Sequence, residues 1–454
     1  MKIKRGEACV VRPSTTKTRP PPSSPSSGGT NNGCATTSVV AECSPSTAAP
    51  CACVPLSSSD LVVPNVHVEV VYAFAAPSAP AHLLRDSLAT VLDEYREWAG
   101  RLGHDETGRP AIVLNDAGAS FVEAEADGPM QDVYPFNPSP LLLDMLPPNR
   151  GVEELLLIQV TYYTCGGTTL GVARHHQVAD GEAASNFMDA WAAVCKGVPL
   201  APVLHDRSVL MPREPPNPTF DHIEYRKPTP KPESGEAPVH PPLVRKKLHF
   251  DVEMLKRIKS HAVKADDGHG FYTTFESLTG HLWKCVTQAR GLTGEMETRI
   301  MVAANARRRL SRPVGENYLG NVIFHACART MIQQLIEEPL SSAAGLIHTA
   351  IRGLDNEYLR SAIDFVEVQR KTPVARSRST VMSPNLSITS WVQLPLYKLD
   401  FGWGTPVYAG PPWVPFEGLV ILIPSSTQDG SIDAIIGLFE PDMAKLEEIC
   451  YEAS

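Results

Sequence analysis

The stretch Arg174-His175-His176-Gln177-Val178-Ala179-Asp180-Gly181 sets an imidazole and a carboxylate four residues apart, between an apolar run and a helical pattern. A neutral imidazole, with an ordinary pKa of about 6.5, can take a proton near neutral pH. Placed at a strand end, His176 would stand at a lip that a small molecule can approach, and Gly181 permits a sharp entry into the next helix. That is the chemistry of a general base. Asp180 could orient the loop, hold a cation, or cap the helix as Asp commonly does. A metal reading of His175, His176 and Asp180 is the weaker one, because neighbouring residues on a strand point to opposite faces. Cys51 and Cys53 have no second Cys or His pair at zinc spacing, so no metal site is expected there either.

Periodicity supplies the elements that must hold this string. Residues 155–163 form a long apolar run, Cys165-Gly166-Gly167 supplies a turn, and 168–174 returns as a second strand, which predicts a hairpin. Over 180–196, Phe187, Met188, Trp191, Val194 and Cys195 share one helical face before Gly197 stops it. Upstream, 61–63 and 66–74 read as strands divided by Pro64. The three- and four-residue spacing of Leu84, Leu88, Val91, Leu92, Tyr95, Trp98 and Leu102 predicts one helix over 83–102. Residues 206–245 are crowded with proline from Pro212 to Pro242, which favours an extended connection. Beyond it come helices at 252–264 and 274–291, strands at 298–304, 419–423 and 432–439, and a closing helix at 443–452.

The 454 residues, 43% hydrophobic and 20% charged, suit a soluble chain of two or three domains. A net charge of −9 argues against nucleic acid as a partner, whose binding needs a surplus of cations. No apolar run approaches the ~20 residues that span a bilayer, so no membrane role is expected. Ten cysteines without a framework pattern suit a reducing compartment. The start, MKIKRGEACVVRP, lacks the apolar core of a secretory signal, and a cytoplasmic location follows as the expectation. Residues 14–58, rich in Ser, Thr, Pro and Gly, read as a low-complexity, disordered insertion. The division expected is a first strand at 1–13, the N-terminal lobe at 59–205, a Pro-rich crossover at 206–245 and the C-terminal lobe at 246–454.

A second distinctive string, Asp400-Phe401-Gly402-Trp403-Gly404, lies in the other half of the chain. Between and around the two run LVVPNVH at 61–67, CGGTTLGV at 165–172, REPPNPTFDHIEY at 213–225, YLGNVIF at 318–324, EYLRSAIDFVEVQ at 357–369 and PNLSITSW at 384–391. With these phrases the sequence resembles the plant acyl-CoA-dependent BAHD acyltransferases, and within them the hydroxycinnamoyl-CoA:shikimate/quinate transferases, over nearly everything except 14–58. The resemblance implies an α/β fold of two similar-sized mixed-sheet lobes, like chloramphenicol acetyltransferase, with the active site in the channel between them. It implies no resident cofactor, an acyl-CoA such as p-coumaroyl-CoA as co-substrate, and a monomer acting on small molecules.

Residue by residue, the resemblance makes His176 the base that deprotonates an acceptor hydroxyl as it attacks the thioester. The indole N–H of Trp391, in Thr389-Ser390-Trp391, becomes the donor to the oxyanion, and transfer is direct, without an acyl-enzyme. Asp180 would pair with an arginine of the other lobe, Arg307 in preference to Arg309, and Asp400, Gly402 and Trp403 would support the structure. The acceptor side takes Tyr72, Thr389 and Arg376, thirteen residues upstream of Thr389, whose guanidinium suits a carboxylate. Val68 and Val70 stand where shikimate enzymes carry hydroxyls, a departure that weakens the match to that acceptor. Thr274 and Phe275 fall in the stretch along the CoA tunnel, and Arg307 to Arg309, Arg312 and Lys284 are the cations available to CoA phosphates. The rival readings are another hydroxy acid, a long-chain alcohol or an amine as acceptor, and a non-catalytic relative that binds phenolic ligands.

Overall fold

Alternating apolar residues build two mixed sheets, one from each half of the chain. The computed structural model describes residues 1–15, 52–77, 80–225, 240–263, 272–370 and 382–452. The first sheet runs in the order Ile3–Arg5, Ala119–Ala126, Leu156–Tyr162, Thr168–His175, His67–Phe74, Tyr408–Gly410, with Cys9–Val11 also on Ala119–Ala126. Helices Ala81–Val91 and Gly181–Cys195 cover one face, where Leu88, Phe187, Met188 and Trp191 pack onto Val70, Tyr72, Leu170 and Val172.

The second sheet runs Leu243–Phe250, Ile432–Phe439, Leu419–Pro424, Leu386–Ser390, Glu297–Asn305, Ile323–Met331. Leu386–Ser390 is parallel to both of its neighbours, so its C-terminal end is carried to the same edge as theirs. Helices Thr274–Ala289 and Leu340–Arg352 bury Leu278, Leu282, Trp283 and Ile347 against Ile300, Val302, Ile388 and Val420. A small sheet of Cys53–Pro55, Pro110–Val113 and Arg101–His104 stands beside these two. The two-lobe mixed α/β architecture is the one expected from the sequence.

The differences lie where local signals compete. Residues 61–63 are not a strand: Ser57 and Asp60 form a capping box that starts the helix Ser58–Val62. The single helix expected over 83–102 is three elements, the helix Ala81–Val91, the turn of 3-10 helix Arg96–Ala99 and the strand Arg101–His104. Gly100 makes the break possible, since a Cβ there would lie 2.6 Å from the Val113 carbonyl oxygen of the neighbouring strand. The low-complexity stretch ends earlier than residue 58, because Cys53–Pro55 already pairs in a sheet; 16–51 lie outside the described residues.

The second half does not keep to its own lobe. Leu396, Leu399 and Phe401 enter the first-lobe core, and Tyr408–Gly410 pairs with His67–Phe74. The described part of the crossover is anchored rather than loose. Asp364 accepts from Arg213 Nε at 2.6 Å and from the Asn217 amide at 2.9 Å, and Ser361 Oγ accepts from the Thr219 and Phe220 amides at 2.8 and 3.0 Å. Its far end is already the strand Leu243–Phe250 by residue 243.

Gly171 sits mid-strand in Thr168–His175, the strand that leads to His176, and a Cβ there would collide with the Met145 carbonyl oxygen. Backbone cannot move aside as a flexible side chain can, so Gly171→Ala should lower Tm by more than about 5 °C. Thermal unfolding followed by circular dichroism checks this; an unchanged Tm would mean that the close approach is relieved at little cost.

Candidate active site

The strand Thr168–His175 delivers His176 into a turn, and Asp180 ends that turn as N-cap of the helix Gly181–Cys195. The turn's backbone is tied down at several points. The His176 amide donates to the Val66 carbonyl at 2.9 Å, and its carbonyl accepts from Asn321 Nδ2 at 2.8 Å. Arg207 Nη2 donates to the Val178 carbonyl at 3.2 Å. Thus the first lobe, the crossover and the second lobe each hold the turn that carries the imidazole.

Two buried ion pairs stand behind these bonds. Asp180 accepts from Arg307 through both oxygens, at 2.8 and 3.0 Å, from the Val322 amide at 2.8 Å, and from the Ala183 amide at 3.0 Å. The capping role and the cross-lobe pairing therefore coexist. Arg307 is the arginine that reaches Asp180, whereas Arg309 Nη1 donates to the Ile351 carbonyl at 2.8 Å near the end of the helix Leu340–Arg352. The second pair joins Asp60 to Arg207 Nη1 at 2.8 Å. Asp60 also accepts from the Asn321 amide at 3.0 Å and from Asn321 Nδ2 at 2.9 Å, the same nitrogen that reaches the His176 carbonyl.

His175 and His176 divide their work. His175, the last strand residue, is buried, with Nε2 2.8 Å from Asn65 Oδ1 and its ring edge-on to His67 at 5.2 Å between centroids. Burial, with the nearby His67 and His176 adding to it, pushes the His175 pKa down to about 3. Its imidazole is therefore neutral near neutral pH. Beside this pair open two cavities of ≈ 320 and ≈ 470 Å³ that share Asn65, Val152 and His175, and the larger also reaches Gln177.

The other sequence candidates fall on separate elements. Trp391 directly follows the strand Leu386–Ser390, its amide donating to the Leu422 carbonyl at 2.7 Å. Half-buried, it packs against both the first-lobe core and a small second-lobe cluster of Val414, Ile421, Ile423 and Ile435. Thr389 is half-buried two residues earlier, and Tyr72 is buried in the first-lobe core. Arg376 lies outside the described residues. Thr274 and Phe275 form the first turn of the helix Thr274–Ala289, with Phe275 against the second-lobe core, and neither lines the two cavities. Among the described residues no group of three or more His, Cys, Asp or Glu could hold a metal ion, and no helix is long and apolar enough to cross a membrane.

Asp400 organises a tight loop: Oδ1 accepts from the Gly402 and Gly404 amides at 2.8 and 3.1 Å, and both glycines have positive φ, 110° and 108°. Phe401 stacks on Trp403 and meets Trp191 edge-on at 5.0 Å, which fastens the loop to the helix Gly181–Cys195. Of the basic residues considered for phosphate, Lys284 is spent otherwise. It is buried, and its ammonium donates to the carbonyls of Leu335, Ile336 and Glu338. Arg307 and Arg309 are likewise committed, and of the two exposed arginines Arg308 pairs with Glu316 at 3.2 Å, which leaves Arg312.

Asp60, Arg207 and Asn321 escaped the sequence reading. Asp60 sits between a run of three serines and the apolar Leu61-Val62-Val63, three residues after Ser57, and the capping-box spacing was the available signal. Nothing in the spacing of Arg207 or Asn321 marks them.

Removing one partner of a buried pair strands the other charge, at a cost of about 3–5 kcal/mol. Arg207→Met should therefore lower stability by that order in urea unfolding. Asn321→Ala, which removes the tether on the His176 carbonyl, should lower kcat about tenfold with a smaller change in the KM for acyl-CoA, read by steady-state kinetics. His175 gives a pH signature. The unfolded chain takes up a proton on it below about pH 6.5 and the folded chain does so only near pH 3, so its contribution to stability falls as pH drops through that window. His175→Gln should flatten stability against pH between about 6.5 and 4, and an unchanged slope would assign the acid sensitivity elsewhere.

Comparison with known proteins agrees with this geometry. The model of the Transferase family matches residues 36–453. Agmatine hydroxycinnamoyltransferase 1 of Oryza sativa subsp. japonica is 40% identical over 417 residues, 88% of this chain and 93% of that protein. Shikimate O-hydroxycinnamoyltransferase of Nicotiana tabacum is 36% identical over 413 residues, 87% of this chain and 94% of that protein. Among solved structures, vinorine synthase has the same fold, with a TM-score of 0.68 at 20% identity over 98% of this chain and 96% of its own. A turn clamped between two lobes, a family model spanning both lobes and relatives aligned across most of their length give one answer: the chain belongs to the BAHD family of acyl-CoA-dependent acyltransferases.

Proposed function

We propose that this chain moves a hydroxycinnamoyl group, such as p-coumaroyl or caffeoyl, from CoA to a hydroxyl of a small carboxylic acid, shikimate or quinate first, by direct attack in a ternary complex. Hydroxycinnamoyl transfer is the chemistry named for the rice and tobacco relatives, while the acceptor is this chain's own question. The observation that carries the mechanism is the full commitment of Asp180. With both oxygens taken by Arg307 and two amides, it has no lone pair to spare for orienting His176, so Asp180 serves the turn's geometry and not the proton transfer. An alcohol is a poor nucleophile at neutral pH, and a positioned base typically contributes 10²–10⁴-fold.

In this reading His176 removes the acceptor proton as the oxygen attacks the thioester carbonyl. The Trp391 indole N–H donates to the oxyanion, and the proton returns to the CoA thiolate as the C–S bond breaks. Tyr72, Thr389 and Arg376 take the acceptor side and Thr274 and Phe275 the CoA side, in a monomeric, cytoplasmic enzyme with no metal. A second reading, an amine acceptor, is favoured by one observation, the 40% identity to an enzyme named for agmatine.

Thiol release from p-coumaroyl-CoA, with shikimate, quinate, agmatine and putrescine as acceptors, separates these readings. His176→Ala should lose at least ~100-fold in kcat, and equal rates in variant and wild type would remove His176 from the mechanism and revive a non-catalytic role. Trp391→Phe should lose about 10²-fold in kcat with little change in KM, the signature of a contact made chiefly in the transition state.

A further inference from the structure

Among the described residues, the buried arginines follow a rule with one exception. Arg207 pairs with Asp60, Arg307 with Asp180 and Arg290 with Glu417. Arg174 is only 6% exposed, yet no carboxylate pairs with it among the described residues, and its Nε and Nη1 are buried without a hydrogen-bond acceptor. An unpaired guanidinium out of water is costly, and such a group ordinarily pairs or is replaced by an apolar side chain. Its place on the strand sharpens the anomaly. Leu170 and Val172, four and two residues earlier, point into the first-lobe core, so Arg174 puts a charge where the alternation calls for an apolar residue.

That position is two residues before His176. In the sheet register Arg174 lies opposite Val68, on the face that carries Val70 and Tyr72. Trp391 and Leu394 of the other half pack on the cluster that holds Val70 and Tyr72. The strand that resembles the acceptor strand of shikimate enzymes therefore lacks two hydroxyls and faces a cation instead.

We propose that Arg174 is an anion anchor of the acceptor pocket, and that the acceptor carries a carboxylate placed to form a forked contact with it. This rests on the reading that His176 and Trp391 mark the reacting centre. A guanidinium fork matches the two oxygens of a carboxylate. A diamine or agmatine brought to the same place would set like charge against like in a poorly screened site. Arg174 thus selects against the cationic acceptors for which some relatives are named.

The test uses the full chain with p-coumaroyl-CoA and two acceptors that differ only in charge, shikimate and methyl shikimate, with anthranilate and agmatine beside them. Wild type should prefer shikimate to its methyl ester by at least about thirtyfold in kcat/KM, mostly through KM. Arg174→Met should bring that ratio within about threefold of one, and Arg174→Lys should restore part of it, because a point charge keeps attraction without the fork. Equal use of acid and ester by wild type overturns the proposal with no variant needed, as does a preference for agmatine over every carboxylate tested. Calorimetric binding of shikimate to wild type and to Arg174→Gln requires no chemistry. Unchanged affinity in Arg174→Gln overturns the anchor, whereas loss of affinity together with full activity of His176→Ala would sustain the anchor and reject the catalytic reading. Arg174→Met should also raise Tm, since it removes an unpaired buried charge.

Discussion

The Asp180–Arg307 fork is the contact on which the site's geometry rests. It crosses from one sheet lobe to the other, is buried at both ends, and leaves the carboxylate no unused lone pair directed at the imidazole. A buried pair of this kind contributes little net stability compared with an apolar replacement, because desolvation offsets the attraction. What it fixes is register. Two lobes whose cores are separate apolar clusters could slide on each other by small amounts at little cost in buried area. A bidentate pair tolerates no such slide. The second pair, Asp60–Arg207, adds the crossover to the same knot, and Asn321 transmits it to the His176 carbonyl.

The chain path reinforces this. Residues 396–410 leave the second sheet, bury Leu396, Leu399 and Phe401 in the first-lobe core, and add Tyr408–Gly410 to its edge before returning to Leu419–Pro424. The Asp400 loop is the corner of that excursion. Its two positive-φ glycines let two amides and one carboxylate close a turn too tight for ordinary residues, and Phe401 fastens it under Trp191. Trp391 lies just upstream of the excursion, so its position is set by both lobes at once.

Much of this was legible in the sequence because apolar periodicity is a local signal. The hairpin before His176, the helix after it, and the strands Glu297–Asn305 and Ile432–Phe439 fall where spacing places them. Periodicity misled where two elements happen to continue the same spacing. Leu102 follows Trp98 by four residues, yet it belongs to a strand, since only tertiary contact reveals that Gly100 passes close to a neighbouring backbone. Asp60, Arg207, Asn321 and Arg174 were invisible for another reason. The first three depend on partners far away along the chain and Arg174 on none among the described residues, and a single polar residue beside apolar ones looks the same whether it caps a helix, braces a turn or awaits a ligand. Lys284 shows the converse error: an accessible-looking cation in the sequence is a buried cap for three carbonyls in the fold.

Charge poses the remaining physical question, since a chain of net charge −9 must receive an acyl-CoA, itself multiply anionic. The net figure matters little at contact range. At physiological ionic strength the fields of exposed charges fade over about 8 Å, so a ligand at the site responds to the few groups around it. Most of the cations near the lobe junction are already neutralised by paired carboxylates, and those on the outside, Arg308 and Arg312, are exposed and weakened by solvent. An arginine kept buried without a partner is different. Its attraction is undiluted by water, and a ligand that satisfies it recovers the desolvation cost already met in folding. Binding and folding are coupled at that residue: the instability carried by the empty protein is the source of its preference for a charged acceptor.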